Sequence, residues 1–188
     1  MSNELRIIAG QWRSRKIRFP DAEGLRPTPD RVRETLFNWL RGGLDGARCL
    51  DLFAGSGALG FEAASRGASR VVLVESEPKV FAALEQNRKS LDAAQVECRR
   101  TDVAGYLAGP AERFDVVFLD PPFRKGLAAP AAEALAAREW LAPRAKVYIE
   151  AEREWSPADL PAKLRLIKDG AAGEVAYRLY ESIPEITR

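Results

Sequence analysis

Four acidic residues stand where apolar runs give way to turns: Asp51 in "CLDLFAGSG", Glu75 in "VVLVES", Asp102 in "RRTDVA" and Asp120 in "FLDPPF". Two prolines and an aromatic ring follow the last of them. Proline has no backbone N–H and a fixed φ, so a central strand cannot run through Pro121 and Pro122. They instead make a stiff exit. The Asp120 carboxylate and the Pro121 carbonyl become rigid acceptors, with Phe123 as a flat surface beside them. Such an array suits an exocyclic amine on a heterocycle, which can donate both hydrogens while its ring stacks on Phe123. That amine is a weak nucleophile because its lone pair is delocalised into the ring. Two fixed acceptors favour pyramidal nitrogen and free the lone pair to attack an electrophile, which is preorganisation added to positioning. Asp120 could also take the proton lost late in the step. A capping Asp at a sharp strand exit is the competing, purely structural reading.

The stretch "DLFAGSGALGFEA" sets Gly55, Gly57 and Gly60 at G-x-G-x-x-G spacing between an apolar strand and a helix, with Glu75 ending the next strand. On spacing alone this fits a dinucleotide site, the acid taking ribose hydroxyls. Asp51, four residues before Gly55, points to another ligand. A carboxylate in that crevice suits a cationic end, an ammonium or a sulfonium, and would repel a pyrophosphate. It could equally be a turn acid that accepts backbone N–H bonds. Several acids without histidine could also hold magnesium. That reading ranks lower, because no phosphate-gripping lysine follows the glycines as in a P-loop.

These groups need a scaffold that brings strand ends together. From residue 47 the pattern alternates: strand "ARCLDLF", helix "ALGFEAASRG", strand "RVVLVE", helix "PKVFAALEQNRKSLDA", strand "VECRR", short helix "VAGYLA", strand "FDVVFLD". A helix "GLAAPAAEALAAREWL", expected to be interrupted at Pro130, leads to strand "AKVYIEAE". "KLRLIKDG" and "GEVAYRLYE" read as a closing antiparallel hairpin. Fully apolar runs such as "VVLV" and "VVFL" indicate a parallel sheet covered on both faces. The expected fold is therefore α/β: a doubly wound, mostly parallel seven-stranded sheet with a closing antiparallel strand. In such a sheet the carboxyl ends of the strands line the crevice, so all four acids fall at one rim. A helix from Thr28 to Leu40 is expected ahead of it, with Thr28 as cap and Pro29 at its first position. The first 20 residues suggest a small β-hairpin with Arg6, Arg13, Arg15, Lys16 and Arg18 against Glu4 alone. If it is a strand throughout, Arg13 and Arg15 share one face and Lys16 and Arg18 the other.

Composition narrows the chemistry. The chain has 188 residues and a net charge of +2, which suits one soluble domain with a small appendage. It has no histidine. A histidine base, a histidine metal ligand and a Ser-His-Asp triad are excluded. Cys49 and Cys98 are expected as reduced thiols, too few for a structural zinc site. No apolar run reaches a membrane span of ~20 residues, and no signal-peptide core is visible. A cytoplasmic protein without metal is the expectation.

Together "DLFAGSGALGFEA", "VVLVES" and "FLDPPF" resemble the class I S-adenosylmethionine-dependent methyltransferases that modify exocyclic amines. The wider set "RIIAGQWRSRKIRF", "GLRPTPDRVRETLFNWL" and "DPPFRKG" resembles the bacterial RsmD-type enzymes, which methylate N2 of a guanine in small-subunit (16S) ribosomal RNA. The resemblance covers roughly residues 5 to 181. It implies S-adenosyl-L-methionine as cofactor. Asp51, Gly55 and Gly57 would hold its methionine part, Glu75 its ribose with Ser76 alongside, and Asp102 its adenine amine with Val103 packing nearby. Asp120, Pro121 and Pro122 with Phe123 would receive the guanine. The helix from Thr28 would cover the cofactor, with Arg31 or Arg33 as a polar contact. Arg13, Arg15, Lys16 and Arg18 would grip RNA phosphates and Trp12 could stack on a base, while Arg124 and Lys125 would reach RNA beside the target. The implied division is residues 1–27 as an RNA-contacting hairpin and loop and 28–188 as the methyltransferase domain. The implied partner is ribosomal RNA or an assembled small subunit, met by a monomer. The remaining alternatives are a DNA adenine-N6 or protein glutamine methyltransferase, a nicotinamide oxidoreductase and a non-catalytic RNA-binding chaperone.

Overall fold

The computed structural model of the chain describes residues 2–156 and 160–184, so the outer ends of the two expected regions lie outside the described residues. Strands β1 (Ser2–Arg6) and β2 (Lys16–Pro20) pair antiparallel, as the hairpin reading expects. Then come α1 (Asp30–Trp39), β3 (Arg48–Asp51), α2 (Ala58–Ser65), β4 (Arg70–Glu75), α3 (Pro78–Ser90), β5 (Val96–Arg100), α4 (Val103–Ala108), β6 (Phe114–Leu119), α5 (Ala128–Ala137), β7 (Leu141–Glu152), β8 (Leu164–Ala172) and β9 (Val175–Ser182). The large sheet runs β5-β4-β3-β6-β7-β9-β8. β3 to β7 are parallel, and β9 is antiparallel to both β7 and β8.

The winding reverses between β3 and β6. The chain builds outward through β4 and β5, returns to the other side of β3, and so leaves a crevice at the carboxyl ends of those two strands. The central strands are buried on both faces, which explains their unbroken apolar sequences. Leu36, Phe37, Phe61, Val71, Leu73 and Phe118 pack on one side. Leu50, Val72, Val117, Leu135, Trp140 and Ile149 pack on the other.

Several local expectations are corrected. Pro130 does not interrupt α5. It sits in the first turn, where a missing N–H leaves no intrahelical bond unmade. Pro29, not Thr28, is the cap residue of α1, and no side chain caps that end. In the hairpin, residues 11–14 form the turn and β2 begins only at Lys16. Lys16 and Arg18 therefore alternate with buried Ile17 and Phe19 on the exposed side, where both pair with Glu4. Arg13 is a turn residue, and the Arg15 guanidinium donates to the Ser90 carbonyl at the end of α3. Trp12 is 3% exposed and belongs to the main core, so it cannot serve as a stacking platform for RNA.

Candidate active site

A cavity of about 1590 Å³ opens at the carboxyl ends of the parallel strands. Asp51, Glu75, Asp102 and Asp120 all line it, from the ends of four strands, as the rim argument expects. Gly55, Ser76, Val103, Pro121, Pro122, Phe123, Arg124 and Lys125 line it too. Gly57 lies just beneath the surface as the residue before α2.

The glycine turn is needed sterically. Gly55 and Gly57 have φ of +49° and +80°, a region that side chains disfavour. A Cβ on Gly57 would come within 2.6 Å of the Phe61 ring. Gly60 lets α2 settle on the sheet, since a Cβ there would meet Leu73 at 2.1 Å. Acids brace this half. Glu75 accepts the Gly55 amide at 3.0 Å with one oxygen and the Glu77 amide at 2.8 Å with the other. Asp102 caps α4 by accepting the Gly105 amide at 2.6 Å.

Asp51 is 1% exposed and its Oδ1 is buried without a partner. Burial pushes its carboxyl up to about 7, and backbone amides of Phe53 and Gly60 offset only part of that push.

At the other end, β6 stops at Leu119 and Asp120 follows. The next strand contributes Glu150, which the sequence reading missed. Leu119 pairs with Ile149 in register, so Asp120 and Glu150 come next, side by side. The two carboxyls are neighbours close enough to act on each other's ionisation, and the Thr28 hydroxyl donates to Asp120 Oδ2 at 3.2 Å. The Tyr148 hydroxyl donates to Glu150 Oε1 at 2.7 Å. Desolvation first, then the charges of Glu150 and Asp51, raise Asp120 well above the ordinary carboxyl range. Glu150 is raised as well, by burial. The rule that nominated the other four acids also covers "YIEAE", which ends the fifth parallel strand at the same rim. Phe123 is 41% exposed beside the proline pair, with the Arg124 guanidinium 6.0 Å from its ring centre. Arg124 and Gly126 both have positive φ, and the Glu152 carboxylate holds the Arg124 amide.

The roof is the loop 21–29 and not α1. Leu25 lies over Gly55, Gly24 faces Pro122, and Thr28 reaches Asp120. Arg31 and Arg33 are absent from the lining. Arg33 is fully buried on the far side of α1. It donates to the Arg6 carbonyl and to Asp30 Oδ1, and faces Glu62 at 3.7 Å. Glu62 in turn accepts the Ile8 and Ala9 amides and Arg66 Nε. The expectation of Arg31 or Arg33 as a polar contact from a helical lid is therefore corrected: neither lines the cavity, and Arg33 ties the N-terminal segment to α2. Among the described residues no group of three His, Cys, Asp or Glu is arranged to hold a metal ion. No helix among them is long and apolar enough to cross a membrane.

A doubly wound sheet whose last strand inserts antiparallel between its two neighbours, with its crevice between β3 and β6, is the class I methyltransferase fold. The chain belongs to the RsmD-type family, and the family described as Conserved hypothetical protein 95 matches residues 5–181. It is 46% identical over 180 residues to the ribosomal RNA small subunit methyltransferase D of Escherichia coli strain K12, covering 96% of this chain and 91% of that protein. The protein of the same name from Haemophilus influenzae is 45% identical over 183 residues, 95% of this chain and 94% of that one. The solved structure of yhhF from Escherichia coli superposes with a TM-score of 0.91 at 43% identity, covering 97% of this chain and all of that one.

Proposed function

We infer that this chain is an S-adenosylmethionine-dependent methyltransferase that methylates the exocyclic N2 amine of a guanine in small-subunit ribosomal RNA. The observation that carries this reading is Asp120, held beside a proline pair at the mouth of the same cavity that the glycine turn enters. The relatives named for small-subunit ribosomal RNA methylation support the substrate class.

The chain's residues fit the cofactor. The buried, unpartnered Oδ1 of Asp51 suits a cation, and Gly55 lines the cavity without a side chain, beneath Leu25 of the roof. The cavity has space for a nucleoside and a separate base. When bound, S-adenosylmethionine supplies an electrophilic methyl carbon on a sulfonium. Asp51 would counter the positive charge of its methionine end. Glu75 keeps lone pairs for ribose hydroxyls while bracing the turn, and Asp102 and Val103 would border the adenine. Asp120 and the Pro121 carbonyl would accept the two hydrogens of the guanine amine, and Phe123 would stack on the base. Extruding that base from its stack costs a few kcal/mol, less in a loop than in a helix.

Arg13, Arg15, Lys16 and Arg18 form the basic surface proposed to grip the RNA backbone. A hollow of about 690 Å³ between the hairpin and α3, lined by Arg6, Arg15, Lys16, Arg18 and Asn87, supports this. Residues 1–27 would then serve RNA contact and 28–188 catalysis, in a cytoplasmic monomer acting on ribosomal RNA or a partly assembled subunit. The testing experiment is labelled-methyl transfer to small subunits, bare RNA, DNA and protein, with the modified atom mapped by mass spectrometry. N2-methylguanine at one site in ribosomal RNA is expected. Label in adenine N6 of DNA or in glutamine would overturn the reading.

A further inference from the structure

Behind Asp120 stands Glu150, 8% exposed. The Tyr148 hydroxyl donates to it from the rear at 2.7 Å, and on its open side stand Asp120 and the Thr28 hydroxyl that donates to Asp120. An ionised carboxyl can only accept, so two carboxyls set side by side in register can share a hydrogen bond only when one carries a proton. The groups facing the pair come from every neighbouring element: Asp51 ends β3, Thr28 belongs to the roof, and Tyr177 on β9 is opposite Glu150 in register. The charges acting most strongly on Asp120 are both negative. Like charges held this close cannot both ionise freely and titrate as a pair.

We propose that Glu150 is a positioning residue for methyl transfer: it takes over the single proton of the Asp120–Glu150 pair when the target amine arrives, so that Asp120 meets the amine as a carboxylate. This rests on the methyltransferase reading above. With the site empty of RNA, the Tyr148 hydroxyl favours the charge on Glu150, and Asp120 holds the proton. An amine donating to Asp120 reverses that preference and moves the proton one hydrogen bond along. In the transfer the C–N bond forms as the S–C bond breaks, and the pair of electrons from that bond stays on sulfur. The lone pair of nitrogen makes the new bond, one amine hydrogen passes to Asp120 as a proton, and the electrons of that N–H bond become the lone pair of the product nitrogen. The carboxyl pair then holds two protons and gives one to solvent as the product leaves. Nothing is oxidised or reduced.

One test needs neither cofactor nor RNA. The infrared C=O stretch of a neutral carboxylic acid is recorded at neutral pH in an Asp51→Asn background, which removes the other carboxyl held near 7, for the wild-type pair, Glu150→Gln, Asp120→Asn and both changes together. A shared proton means that either single change removes the same absorption and the double change removes no more. Absence of the band from the wild-type pair, its survival in both single variants, or losses that add in the double variant would overturn the shared proton. The second test is single-turnover transfer at saturating cofactor. Glu150→Ala strands the Tyr148 hydroxyl and Asp120, and should slow transfer about tenfold or more with cofactor affinity little changed. Glu150→Gln can accept from Tyr148 and donate to Asp120 as the protonated acid does. It should recover most of the loss and flatten the alkaline decline expected of the wild type as the pair loses its proton. A glutamine variant as slow as the alanine one, or one that keeps the alkaline decline, overturns the role. A wild type that shows the shared band but methylates no RNA would count against the function and leave the proton pair standing.

Discussion

At the glycine turn, Glu75 accepts two backbone amides and Asp102 caps a helix, while at the proline exit Asp120 and Glu150 face each other. The first pair spends its oxygens on backbone N–H groups that any fold must satisfy. The second pair sets two like charges side by side at the cavity wall, Glu150 buried and Asp120 half-buried, an arrangement that opposes ionisation of both. Asp51 lies between the two, buried and with one oxygen unpartnered. Acids in one half of the cavity shape the backbone around a ligand. Acids in the other face one another, where each opposes the other's ionisation.

That contrast can be broken in several ways, the first by removing the amine. Small subunits reconstituted with inosine at the target position lack the 2-amino group, and methyl uptake there should fall to background. Uptake at an unchanged rate would mean that the acceptor half acts on another atom.

Asp51→Asn comes next. Losing a charge-assisted contact worth about 1.5–3 kcal/mol should weaken cofactor binding roughly 10- to 100-fold in calorimetry. The pH dependence follows from the same carboxyl. Its native value of about 7, against an ordinary 3.8, means that the folded protein keeps a proton the unfolded chain has lost. Apo stability therefore falls as pH rises through that window. A cationic ligand favours the carboxylate, so affinity should rise with pH over the same range and level off above it. Melting and binding curves that are flat there in the wild type, or unchanged in Asp51→Asn, would contradict this.

The smallest effect concerns the hairpin. Replacing Arg13, Arg15 and Lys16 with alanine should leave cofactor affinity alone. It should weaken RNA binding and reduce the salt slope by ~0.7–0.9 for each phosphate that the hairpin no longer neutralises. An unchanged slope would remove the hairpin from the RNA interface.

Much of this was legible because burial writes itself into sequence. "VVLV" and "VVFL" are apolar at every position since helices or loops cover both faces of β4 and β6. The acids at their ends follow from the same rule. What escaped depended on which elements become neighbours. Glu150 falls under the rim rule as a strand-end acid, but its place beside Asp120 shows only once β7 is known to lie beside β6. Thr28 reads as a helix cap until the loop folds across the cavity to Asp120. Trp12 sits among exposed basic residues in the sequence. Yet its amide binds Ser65 Oγ at 2.9 Å and its ring joins the core, because the turn docks on α2. Arg33 lies on the helix face that turns toward Glu62, a direction set by packing that the two nearby arginines do not reveal.

The most direct measurement is single-turnover methyl transfer to the small-subunit RNA by Asp120→Ala, with cofactor affinity determined on the same preparation. The acceptor array requires a loss of at least about 100- to 1,000-fold in rate with binding close to wild type. Wild-type turnover in that variant, or a loss explained wholly by failure to bind cofactor, would contradict it.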